Sequence, residues 1–184
     1  MEARDTKSKI VKETFPSEMV SIVGDIFAGI VLSILMVSFK SFLILILIIP
    51  ALLSLRGNLS GPFIARTSRD LIIGEFKLKS WFENVLATLA LSVLTALAIG
   101  IFSIIINFLL IKLYLFHTGL LIVIPVISIV LTLSISIPCS TLLNFLAFKR
   151  GLDPNNVVNP VMTAIDDFFT VICFLLTIIM LGVP

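Results

Sequence analysis

Between Val85 and Ile111 the chain reads VLATLALSVLTALAIGIFSIIINFLLI, without one charged side chain. About 20 apolar residues in a helix cross a hydrocarbon core about 30 Å thick, and this run exceeds that length. It therefore fixes the solvent before it fixes the fold. Similar stretches give candidate spans near 19–39, 41–55, 81–111, 118–148 and 160–183. With 59% hydrophobic and 13% charged residues among 184, too few polar side chains are present to cover a water-facing core. The expected fold class is an all-α integral membrane protein with five transmembrane helices.

Residues 1–18 mix acids and bases and have no apolar core, so they read as a short mobile tail rather than a cleavable signal. The membrane domain is expected over 19–184. The second span breaks at Ser54–Asn58, "SLRGN", and resumes weakly to Ile73, as broken helices in transporters do. Pro125 and Pro138 are expected to bend the fourth. Cys139 and Cys173 lie in apolar runs and read as packed small hydrophobes.

Lys and Arg fix the expected orientation. Arg4, Lys7, Lys9 and Lys12 precede span one; Arg56, Arg66, Arg69, Lys77 and Lys79 follow span two; Lys149 and Arg150 follow span four. Only Lys40 and Lys112 fall on the opposite side, which places the N-terminus in the cytoplasm and the C-terminus outside. These bases read as topology signals touching anionic lipid, not as a nucleic-acid patch.

Four carboxylates remain at or near membrane depth: Asp25, Glu83, Asp166 and Asp167. One carboxylate at the centre of a span costs about 2.5–3.5 kcal/mol, so these residues are expected to face a cavity or a partner. Asn159 and Pro160 read as N-cap and first residue of span five, which puts Asp167 two turns, roughly 10 Å, inside it. Asp166 and Asp167 differ by about 100° around the helix and cannot point at one spot. Either one can instead pair structurally with a base. Oxygen ligands without a His or Cys cluster suit a hard divalent cation such as Mg²⁺ and not zinc; His117 reads as a solvated residue of an outer loop.

Two stretches carry a family resemblance. IPALLSLRGNLSGPFIAR (Ile49 to Arg66) and GLDPNNVVNPVMTAIDDFFT (Gly151 to Thr170) resemble the signature segments of the MgtE-type divalent-cation transporter membrane domain. The first looks closest to the solute-carrier branch, as does SEMVSIVGDIFAGIVL at Ala28-Gly29. Ser54, Arg56 and Ser60 stand where bacterial members have glycine. The resemblance implies Mg²⁺ as transported ion, bound by Asp167, with Asn58 matching the asparagine of the second helix and Glu83 an acid opening the third. It also implies a homodimer, no cofactor, no enzymatic activity, and a multi-pass protein of the cell membrane. Bacterial members carry cytoplasmic sensor domains, which an 18-residue tail does not supply.

Two other readings stay open. An ancillary subunit of a larger transporter would use Asn107 and Asn144 as interhelical glue. An intramembrane aspartyl protease would need Asp25 and Asp167 to share a proton, which requires spans one and five to touch.

Overall fold

Five helices carry the chain: α1 (Lys7–Ser38), α2 (Leu43–Ile72), α3 (Leu78–Ile106), α4 (Leu120–Lys149) and α5 (Pro154–Met180). A π-helical turn, Asn107–Ile111, extends α3. The computed structural model describes residues 6–38, 43–111 and 118–182; Lys40, Lys112 and His117 lie outside them. All five helices are long and apolar enough to cross a membrane, and no strand occurs among the described residues.

α5 is the hub. α1 and α4 make their largest contacts with it, α2 touches α3, α4 and α5, and α3 packs on α4. The main core gathers Leu45, Leu52 and Phe63 of α2, Ile124 and Leu133 of α4, and Phe174 of α5. Small residues set the closest crossings, as expected where lipid supplies no hydrophobic drive for helix association. A Cβ on Gly100 of α3 would meet Ile122 Cα of α4 at 2.7 Å. On α4, Ser128, Thr132, Ser136, Ser140 and Asn144 recur every fourth residue and are all buried.

Three boundaries differ from the sequence expectation, each for a local reason. Residues 7–18 are helical and form the opening turns of α1, where Glu13 Oε2 accepts from the Asp153 backbone N–H (3.3 Å) and Asn156 Nδ2 (3.0 Å). α2 is helical throughout Leu43–Ile72, so the interruption expected at Ser54–Asn58 is not seen. A span in lipid must satisfy every backbone group internally, and this outweighs the poor helix propensity of Gly57 and Asn58.

α5 starts at Pro154, capped by Asp153 Oδ1 accepting from Asn155 N–H (2.8 Å), and not at Pro160. The cause lies one turn upstream. Gly151 adopts φ +70°, and the N–H groups of Gly151 and Leu152 donate to Phe148 and Ala147, the Schellman ending that stops α4 and launches α5 two residues later. Pro160 thus lies inside α5 and cannot donate to the Asn156 carbonyl. Ser17 Oγ of α1 donates to that carbonyl instead, at 3.2 Å.

Candidate functional site

The inward stripe of α1 is built from small residues: Ser17, Ser21 and Ala28 are buried, with Gly24 and Asp25 half-buried between them. The 3–4 residue spacing puts all five on one face. A Cβ on Gly24 would stand 2.5 Å from Ala164 Cβ, so only glycine allows this approach of α1 to α5. Asp25 follows Gly24, and Asp167 lies one turn beyond Ala164. The crossing thus puts both acids on the turns where α1 and α5 meet, within electrostatic reach of each other. Asp25 Oδ2 accepts from Ser21 Oγ at 3.5 Å, while Oδ1 is buried without a hydrogen-bond partner among the described residues.

Asp166, one residue earlier, points about 100° away around the helix. It is 2% exposed and forms an ion pair with Nη2 of Arg56, whose side chain is completely buried within α2. The same Nη2 donates to Ser136 Oγ of α4 at 2.6 Å. Three helices therefore meet at one guanidinium. Arg56 Nε and Nη1 and Asp166 Oδ1 find no hydrogen-bond partner among the described residues, nor does Thr170 Oγ1 one turn along α5. Arg56 and Asp166 both act electrostatically on Asp167.

The expected site residues thus divide. Asp25 and Asp167 come together; Asp166 is adjacent but engaged by a base, one of the two roles open to it from sequence. Asn58 and Glu83 are exposed, on the outer face of α2 and at the start of α3, and neither hydrogen-bonds an aspartate among the described residues. Arg56 was expected among the loop bases and is instead a buried part of this cluster. The one signal for it is an arginine directly after the apolar run Leu43–Leu55, in a bilayer where a base needs an acid. The spans one and five of a hypothetical protease do touch.

No group of three or more His, Cys, Asp or Glu side chains positioned to enclose a metal occurs among the described residues. Two half-buried carboxylates, one with an unsatisfied oxygen, instead suit a cation that keeps most of its water, as Mg²⁺ does with one or two carboxylates. A comparison with curated proteins gives no match. The family model for MgtE, described as a divalent cation transporter, matches residues 49–177, well over half of the chain, from the second turn of α2 through most of α5. With five helices fit to span a membrane and this match over most of its length, the chain belongs to the MgtE family of divalent cation transporters.

Proposed function

We propose that this protein moves Mg²⁺ across the cell membrane, with Asp167 as the principal ligand, Asp25 assisting, and Asp166 held back by Arg56. The observation that supports this reading is the Gly24–Ala164 crossing, which joins α1 and α5 at the turns that carry Asp25 and Asp167, within electrostatic reach of each other. Such a pair repels itself unless a cation or proton lies between, and the family's cargo is a divalent cation. A shared proton would serve a protease, but membership in a transporter family favours the ion.

In this reading two chains form a two-fold dimer. The outer face of α2 exposes Ser54, Gly57 and Asn58, small or polar groups that suit a second copy better than lipid. Asn58 then reaches the pathway from that face, and Glu83 lies at its cytoplasmic approach. The N-terminus is cytoplasmic and the C-terminus external.

The test is Asp167→Asn, reconstituted alone in proteoliposomes containing an Mg²⁺-sensitive dye. Removing the charge while keeping the volume should abolish most Mg²⁺ flux. Mg²⁺ at 100 times Kd should also stabilise the wild type by about 2.7 kcal/mol and the variant far less. A folded variant that transports at the wild-type rate overturns the site. The purified protein should have twice the 20.2 kDa mass of the chain in mild detergent; an active monomer removes the dimer from the reading.

A further inference from the structure

We propose that Arg56 is a resident counter-charge of the ion site, which sets how tightly that site holds a divalent cation. The inference rests on the ion reading above and concerns a residue to which that reading gives no direct contact with Mg²⁺.

A guanidinium with no exposed surface in the middle of a membrane span is costly, and its neighbourhood shows how its charge is used. Arg offers five donors in a rigid fork and commonly grips a carboxylate with two parallel bonds. Here a single nitrogen, Nη2, serves both Asp166 Oδ2 and Ser136 Oγ, while Nε and Nη1 have no partner among the described residues. A purely structural strut would saturate the fork. This one leaves much of its donor capacity unspent, and its charge is within electrostatic reach of Asp167, the neighbour of its partner in sequence.

The charges explain what that arrangement does. Asp25, Asp166 and Asp167 with Arg56 form one interacting group of three carboxylates and one guanidinium, a formal charge of −2 when all are ionised. That is the complement of one divalent cation. Without Arg56 the group would hold −3, binding the ion more tightly and releasing it more slowly; without Asp166 it would hold −1 and bind weakly. Conduction needs binding strong enough to admit the ion and weak enough to let it leave, and a fixed internal cation tunes that balance. Because Arg stays protonated at any physiological pH, the setting is permanent.

The test uses the full chain in proteoliposomes, with Mg²⁺ alone as the probe, and measures both Kd and maximal flux per folded molecule. Arg56→Gln should lower Kd by about tenfold and reduce maximal flux. Asp166→Asn should raise Kd by about the same factor. Arg56→Lys, which keeps the charge, and the double variant Arg56→Gln/Asp166→Asn, which restores the group charge with no unpaired ion left buried, should both return Kd close to the wild type. Either single variant that reaches the membrane folded decides the matter. Unchanged Kd and flux in the folded Arg56→Gln protein, with only its unfolding temperature altered, would overturn the proposal and leave the pair a strut. If instead Asp167→Asn retains Mg²⁺ binding, the ion reading itself fails. Loss of binding in Asp167→Asn together with an unmoved Kd in Arg56→Gln defeats the counter-charge alone.

Discussion

Asp166 and Asp167 are neighbours in sequence with different surroundings, and stability is expected to separate them as well as transport. Asp166 compensates a guanidinium that no water reaches. Asp166→Asn therefore leaves an uncompensated buried charge and should cost about 3–5 kcal/mol, read as a shift in the unfolding midpoint in detergent. A loss below about 1 kcal/mol would contradict the buried pair, because that is the range of exposed ion pairs. The acids were legible in the sequence because a carboxylate among apolar residues is conspicuous. The base was not, for Arg56 stands in "SLRGN", where Gly57 and Asn58 suggest a break and a loop. Its partner lies on another helix, and nothing in local composition reports a contact across that distance.

Helix α1 meets the bundle chiefly through α5, and the crossing at Gly24 governs whether Asp25 reaches Asp167. Gly24→Val places a branched side chain where Ala164 already stands. Overpacking of this kind costs about 1–3 kcal/mol and should also weaken Mg²⁺ binding by parting the two acids. Gly29→Val is the control, since a Cβ there meets nothing within 4 Å. Equal Mg²⁺ affinity in both variants, measured by titration, would show that the crossing does not organise the site. All five helices were legible because apolar length survives any tertiary context. Their ends were less so. Asn159-Pro160 read as N-cap and first helical residue, whereas Asp153-Pro154 holds those places because the Gly151 turn upstream launches the helix there. Likewise the charged opening of α1 became helix through Glu13 and Ser17, whose partners at the start of α5 are remote in sequence.

For the whole molecule, moving Arg56 from a loop to the interior takes one base out of the topology count and leaves the asymmetry strong. His117→Cys, in a Cys139→Ala, Cys173→Ala background, should react with an impermeant thiol reagent added outside intact cells. Reaction only after permeabilisation would reverse the orientation. The connectivity also has a temporal side. α1 leaves the ribosome before its main partner, α5, with three helices made between them. Arg56 likewise precedes Asp166 by about 110 residues. At roughly 5–20 residues per second, the nascent guanidinium waits on the order of 5 to 20 s in a half-built bundle before its acid arrives. The fully buried guanidinium of Arg56 is thus neutralised only when α5 arrives, and the insertion of α5, which also secures α1, should be the committing step of biogenesis.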